Sequence, residues 1–319
     1  MIKEIISKYY KQVMMLSPRI EILLRIIYWK NVKRFKKFRP RKVPKHDPSK
    51  HVDFGEIERW FREQGVKEGD LLIVHSSYGE LKCTGLSPDE IVDRLLALVG
   101  PTGTLCMPVI RKFKGEPEGE DLLDAEYPDI VLTYKVRTTK IVSGLLPYCL
   151  MQKENAVVSR FPYNPLCAVG PLAKEMMEHN LDGDHPSPHG KDSAWKFCYD
   201  HGAKICFIGT DWYTHNTIIH VAEEAFGDWH WPDHEWYDIC KFNIIDGKET
   251  IYKEVYNRKM KWGTMRLPGV NNIVVPFEKN GLVKVTKIED YIQLGIEEAK
   301  TVVDFLRAKS KEKKGYPYL

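Results

Sequence analysis

Asp70-Leu71-Leu72-Ile73-Val74-His75, Ser87-Pro88-Asp89-Glu90 and Gly103-Thr104-Leu105-Cys106-Met107-Pro108 decide the fold class. The first and third are short apolar runs, the pattern of strands buried on both faces. The second is a capping box with Pro at the first helical position, which opens a helix. Strand, helix and strand in that order make a parallel crossover unit. The pattern returns at Ala194-Trp195-Lys196-Phe197-Cys198, a helix leading into the strand Lys204-Ile205-Cys206-Phe207-Ile208 that ends at Gly209. A helix is expected next, from about Thr217 to Phe226.

Working outward, Phe54, Ile57, Trp60 and Phe61 mark a helix ending at Gly65. Downstream, the alternating run Tyr237 to Ile245, then Asp246-Gly247, then Thr250-Ile251-Tyr252 reads as a β-hairpin. Ile292, Ile296, Ala299, Val303 and Leu306 recur at helical spacing and predict a closing helix. The expectation is an α/β protein, a three-layer α/β/α arrangement with a mixed sheet and an antiparallel hairpin excursion in the C-terminal third. Residues 1–50 are expected to form a separate arm and 51–319 one domain.

The 319 residues are 43% hydrophobic and 29% charged, which excludes a disordered or fibrous chain. The net charge of +4 conceals an asymmetry. Residues 1–50 hold fifteen Lys/Arg against three Asp/Glu, or +12, so the remainder sums to −8. Residues 2–32 show amphipathic helical spacing and run into Lys33-Arg34-Phe35-Lys36-Lys37-Phe38-Arg39-Pro40-Arg41-Lys42, a basic block interleaved with aromatics. Three readings are open: peripheral contact of residues 1–45 with an anionic membrane surface, packing on the body or on a second copy in a homo-oligomer, and, least favoured, nucleic-acid binding. No uncharged apolar span of transmembrane length and no signal-peptide pattern occur, so a cytoplasmic location is expected, with membrane contact confined to the inner face.

The cysteines at 83, 106, 149, 167, 198, 206 and 240 form no C-x-x-C pair and read as reduced, buried thiols, Cys167 and Cys198 included. Eight of eleven histidines lie between 179 and 234. His185/His189 and His230/His234 have i, i+4 spacing, but Pro186, Pro188 and Pro232 break the helix that would present them to a metal. No metal is expected. No G-x-S-x-G, P-loop or G-x-G-x-x-G motif is present. The segment His215-Asn216-Thr217-Ile218-Ile219-His220-Val221-Ala222-Glu223 follows a buried strand, where α/β proteins place ligands. On a helix Thr217, His220 and Glu223 would share one face, and a carboxylate beside an imidazole suits a general base. A histidine satisfied by Glu223 alone fits the spacing equally well.

Seven pieces in order carry a resemblance. They are Gly69-Asp70-Leu71-Leu72-Ile73-Val74-His75-Ser76-Ser77, Gly100-Pro101-Thr102-Gly103-Thr104-Leu105 with Met107-Pro108, Ser143-Gly144-Leu145-Leu146-Pro147, Ser159-Arg160 with Pro162, Ala168-Val169-Gly170, Ser187-Pro188, and Asn216-Thr217 with His220 and Ala222-Glu223. Together they resemble the aminoglycoside 3-N-acetyltransferase family over about Asp70 to Leu306. The resemblance implies transfer of acetyl from acetyl-CoA to a primary amine. It implies donor contacts at His75, Ser76, Ser77, Gly85 and Ser187. It places His220 at the acceptor site, where an imidazole suits the base, with Glu223 orienting it or helping to recognise the cationic acceptor and Thr217 or a backbone amide stabilising the oxyanion. Asp211, His215, Asn216 and Arg160 are expected on the acceptor side.

Two departures stand out. Phe161 replaces the family's usual His before Pro162, and the basic arm has no counterpart. The acidic stretch 111–135, with Glu116, Glu118, Glu120, Asp121, Asp124, Glu126 and Asp129, is expected to be a substrate-facing loop. With the basic arm, these features suggest an amino sugar carried on a nucleotide or lipid, as in surface polysaccharide assembly. The alternatives are an aminoglycoside antibiotic as acceptor, a catalytically idle binding protein, and a His-rich metal hydrolase.

Overall fold

The computed structural model describes residues 51–116, 130–228, 237–259 and 274–312, with part of 20–31. The first crossover forms as read: β1 (Leu71–Ser76), α3 (Pro88–Val99) and β2 (Thr104–Pro108) follow α1 (Phe54–Glu63) and the short α2 (Tyr78–Leu81). The Ser87 hydroxyl accepts from the Glu90 N–H and the Glu90 carboxylate from the Ser87 N–H, so two otherwise orphaned donors are satisfied where α3 begins. β1 runs parallel to β2 on one side and to β6 (Lys204–Ile208) on the other. The seven-stranded sheet has the order β4-β5-β2-β1-β6-β10-β9, with β4 (Val157–Val158), β5 (Leu166–Val169), β9 (Val283–Ile288) and β10 (Ile292–Glu298) joined antiparallel.

Alternation along β1 sends side chains to two cores. Leu72 and Val74 pack with Phe54, Ile57 and Leu95 on one side; Leu71 and Ile73 pack with Trp195, Cys198, Val221 and Val302 on the other. Each such side chain, taken fully out of water, contributes roughly 1.5–3 kcal/mol. The first core is covered by α1, α3 and α4 (Leu145–Gln152). The second is covered by α5 (Ala173–Glu178), α6 (Ala194–Asp200), α7 (His220–Glu224), α8 (Val274–Lys279) and α9 (Ala299–Glu312). The mixed sheet therefore has helices on both faces. All seven cysteines are free and six are buried; burial pushes the Cys167 thiol up to about 12, which removes it as a nucleophile.

The hairpin forms β7 (Tyr237–Asp246) and β8 (Glu249–Arg258). Its turn lies one residue later than expected. Asp246 pairs with Glu249, leaving Gly247-Lys248 as the loop, and Gly247 takes φ 63°, the position a II′ turn reserves for glycine. β7 also pairs in parallel with β3 (Val131–Lys135) in a separate three-stranded sheet. This corrects the reading of 111–135 as one acidic loop, since Leu132 and Tyr134 are buried core residues. Glu118, Glu120, Asp121, Asp124, Glu126 and Asp129 lie outside the described residues.

The closing helix is a second correction. Ile292, Leu294 and Ile296 alternate on one face of β10, and the helix starts only at Ala299. The spacing 292, 296, 299 satisfies both periods, and pairing with β6 and β9 selects the strand. In the arm, the whole basic block 33–42 lies outside the described residues. The described residues between 20 and 30 are helical, and Tyr28 is buried in the second core. No helix among the described residues is long and apolar enough to cross a membrane.

Candidate active site

β1 and β6 are adjacent and parallel, with Ser76 opposite Ile208, so the loops that follow them leave the sheet side by side. The carboxyl ends of neighbouring parallel strands are where α/β sheets hold ligands. The two loops approach closely: the Ser77 N–H donates to the Ile208 carbonyl at 3.0 Å. A Cβ on Gly209, which has φ 67°, would lie 2.8 Å from Glu80 Cβ, so only glycine lets β6 turn away here.

The β6 loop delivers His220 at the start of α7. Its Nδ1 lies 2.7 Å from Glu223 Oε2, and its Nε2 has no hydrogen bond to a described residue. Glu223 is 2% exposed and also pairs with Arg258, whose Nη1 lies 2.5 Å from the same His220 Nδ1. A neighbouring dyad joins His189 Nδ1 to Glu224 Oε1 at 3.0 Å, and the His189 N–H donates to Glu224 Oε2. The His189 and His220 rings are 5.1 Å apart. Burial, and then Arg258, lower the pKa of His220 against the opposing pull of Glu223. Glu223 does pull towards higher basicity, as a carboxylate beside an imidazole should, but burial and the guanidinium outweigh it. The two contacts at Nδ1 ask for opposite tautomers: Nδ1–H donating to Glu223 leaves Nε2 as the basic nitrogen, whereas Nδ1 accepting from Arg258 puts the hydrogen on Nε2. The base-competent form is the one bonded to Glu223, and the lowered pKa keeps the ring neutral at pH 7.

The β1 loop is of another kind. His75 is buried between Phe207 and Trp195, with ring centroids 5.3 and 6.3 Å away. Burial, with His215 adding to it, pushes its pKa down to about 3, and Nε2 has no partner. Ser76 and Ser77 follow, half-buried, their hydroxyls without a bond to a described residue. An orphaned imidazole nitrogen and two free hydroxyls are groups that a polar ligand completes, so these residues fit the pantetheine or phosphate portion of a coenzyme. Trp195 links the two sites, lying against both His75 and His189.

Several expected site residues are committed elsewhere. Thr217 precedes α7, which is shorter than the helix expected over 217–226, and its hydroxyl donates to the His215 carbonyl at 3.4 Å. That proton is then not available to an oxyanion. The Asn216 side chain is buried and donates to Glu297 Oε2 at 2.9 Å. Asp211 accepts from the Thr214 N–H and shapes the turn, while His215 meets Thr210. Arg160 pairs with Asp246 and Glu249 at the hairpin turn. That turn lies at the opposite end of β7 from Tyr237, roughly 30 Å away at strand rise. Ser187 interacts with Tyr237, beside Glu224 and Arg258, and so stands near the His220 side. Gly85, with φ 73°, ends the turn of 3₁₀ helix Lys82–Thr84 and is exposed.

Phe161 is buried beside a cavity of about 10 Å³ shared with Asn164 and Trp195, room for about one water. His185 binds Glu254, and His230 and His234 lie outside the described residues. Among the described residues no group of three His, Cys, Asp or Glu could hold a metal. Sequence reasoning missed His189, Glu224, Arg258 and Tyr237. His189 stood in the His-rich stretch and Glu224 beside Glu223, but Tyr237 and Arg258 are paired only by hairpin register.

Comparison with known proteins agrees with this architecture. The chain spans about 60% of the length of the curated relatives it matches. It is 30% identical over 175 residues to aminoglycoside N(3)-acetyltransferase IX of Micromonospora chalcea, covering 52% of this chain and 60% of that protein. It is 29% identical over 183 residues to aminoglycoside N(3)-acetyltransferase VIII of Streptomyces fradiae, covering 54% and 60%. Among solved structures, aminoglycoside acetyltransferase AAC(3)-Xa superposes with a TM-score of 0.66 at 21% identity over 84% of this chain and 95% of that one. AAC-IIIb bound to CoASH gives 0.62 at 18% over 84% and 99%. AAC-VIa bound to sisomicin gives 0.61 at 18% over 80% and 95%. At these identities the structural likeness is one of fold. The family model for aminoglycoside 3-N-acetyltransferase matches residues 73–309, and the chain belongs to that family.

Proposed function

We propose that this protein is an acetyl-CoA-dependent N-acetyltransferase, acting on a primary amine of an aminoglycoside-like amino sugar, with residues 51–319 as the acetyltransferase domain. The observation that carries the reading is His220, neutral and with Nε2 unengaged, held by Glu223 at the carboxyl end of β6 beside the unsatisfied loop of β1. The curated relatives are named for aminoglycosides, and one structural neighbour holds CoASH and another sisomicin.

Acetyl-CoA supplies an acyl group activated as a thioester. His220 Nε2 takes the proton from the acceptor ammonium, and the freed amine attacks the carbonyl. The C–N bond forms, the nitrogen gives up its second proton as the C–S bond breaks, and of the two protons one leaves on the coenzyme thiol and the other passes to solvent. The developing imidazolium is stabilised by Glu223 and opposed by Arg258. Tyr237, opposite Arg258 in the hairpin, and Tyr256, stacked on it at 4.7 Å, offer the acceptor aromatic faces. The nucleotide- or lipid-linked acceptor has weaker support, because it rested on the basic arm, and Tyr28 of that arm packs into the core.

The reading is tested by thermal denaturation with acetyl-CoA, where a hundredfold excess over Kd should stabilise by about 2.7 kcal/mol. Thiol release with aminoglycosides, free amino sugars and nucleotide-linked amino sugars then identifies the acceptor. Absence of any stabilisation by acetyl-CoA or CoA overturns it.

A further inference from the structure

Glu297 is a carboxyl group where a carboxylate does not belong. It lies on β10, 3% exposed, on the face that also carries Gly295, against which Phe207 and Trp212 pack. The residues facing it are uncharged. Ile205 and Val283 lie opposite on β6 and β9, Asn216 covers it, and Val302 and Val303 of α9 line the same core. The charged neighbours in the ladder are directed away: Lys204 binds Asp70 and the Gly65 carbonyl, and Lys284 stands opposite Ile296, whose side chain faces the other core. Among the described residues its one hydrogen bond comes from Asn216 Nδ2, 2.9 Å from Oε2. The other oxygen of each group, Glu297 Oε1 and Asn216 Oδ1, is buried without a partner.

Two orphaned acceptors on two groups already joined by one hydrogen bond are what a missing proton looks like. A hydrogen on Oε1 donated to Oδ1 closes an acid–amide ring and satisfies both. We propose that Glu297 is a positioning residue: its carboxyl engages both ends of the Asn216 amide and fixes the turn that delivers His220 to the site. Asn216 lies four residues before His220, and the turn between Gly209 and α7 has no other buried side-chain tie to the sheet among the hydrogen bonds of the described residues. Burial pushes the Glu297 carboxyl up to about 8, against the pull of Asn216, so the proton is present at neutral pH. Above that pH the ring opens and the anchor weakens. The role in catalysis rests on the acetyl-transfer reading; the protonated ring does not.

Two arms keep these separable. Infrared difference spectra of the full chain, wild type minus Glu297→Gln, should show at pH 7 the carbonyl stretch of a protonated carboxylic acid, and lose it as the pH passes about 8. The native group binds its proton where the unfolded one has lost it, so wild-type stability relative to Glu297→Gln should fall between about 4.5 and 8 and level off above. In the kinetic arm, Gln presents an N–H and a carbonyl to Asn216 at every pH, so Glu297→Gln should retain kcat at pH 7 and hold it above pH 8, where wild type declines. Glu297→Ala should lower kcat about tenfold to a hundredfold with KM for acetyl-CoA changed less than about twofold, the cost of a displaced base. Absence of the infrared band overturns the ring. Band present, but identical pH profiles for wild type and Glu297→Gln, overturns the positioning role.

Discussion

The two loops at the ends of β1 and β6 lie side by side and are built on opposite principles. The His220 side is charged and internally paired: the buried Glu223 carboxylate meets His220 and the half-buried Arg258, and the buried Glu224 carboxylate meets His189. The His75 side is neutral and incomplete, with an unpartnered imidazole nitrogen and two free hydroxyls. A site that changes a proton's address needs charges fixed before the substrate arrives, since preorganised dipoles cost nothing to reorient. A site that only holds a ligand can leave its hydrogen bonds for the ligand to complete. The contrast divides labour: rate should be lost on one side and affinity on the other.

The sharpest attempt to break that division is His220→Ala. Loss of a positioned base commonly costs ~10²–10⁴-fold, so kcat should fall by that much while the Kd for acetyl-CoA is unchanged in calorimetry. Full activity in this variant would remove His220 from its role. Glu224→Ala should act on stability. It leaves His189 buried without its Nδ1 partner and an N–H without its acceptor, and breaking such a pair costs about 3–5 kcal/mol, read as a lowered denaturant midpoint. Burial alone would raise the pKa of Glu224; His189 and the cations beyond it take it below the ordinary carboxylate range. Its stabilisation is therefore present above that range and is lost as pH falls through the lowered value. An unchanged midpoint at pH 7 would show that His189 finds another partner.

Arg258→Met sharpens the comparison from within the charged side. Arg258 is the second cause, after burial, of the lowered His220 pKa, and it contends for the same Nδ1. Without it the imidazolium is less opposed, so the acid limb of the kcat/KM profile should move to higher pH. A limb that stays in place would mean that Glu223 shields His220 from the guanidinium.

How much of this was legible in the letters follows from the range of each signal. The β1–α3–β2 crossover rests on local grammar, a capping box between two apolar runs, and it forms as read. The hairpin was legible from Asp246-Gly247, though cross-strand pairing shifted its turn by one residue. His220 and Glu223 were found because a three-residue spacing on a helix is also a contact. Thr217 failed the same rule because the buried Asn216–Glu297 bond, spanning 81 positions, holds the preceding turn out of the helix. Ile292 to Glu298 was misread because periods of two and of three to four coincide at those residues, and only neighbouring strands decide between them. Arg258 and His189 reach the site through the hairpin register and the proline-broken stretch at 185–189, which no spacing rule encodes.

The smallest effect is expected on the neutral side, and it tests the division most directly. Ser77→Ala removes one hydroxyl that bonds no described residue, so neither stability nor fold has reason to change. If a coenzyme group completes that hydrogen bond, its loss costs about 0.5–1.5 kcal/mol of binding, or about twofold to tenfold in KM for acetyl-CoA. Because the bond would be made equally in the ground and transition states, kcat should be unaffected. Ser76→Ala should behave alike, and the double variant should add, unless both hydroxyls serve one ligand atom. A fall in kcat with KM unchanged would place the hydroxyls at the reacting carbonyl. The oxyanion donor that Thr217 does not supply would then be found on the β1 loop, and the boundary between holding and reacting would run through Ser76 and Ser77.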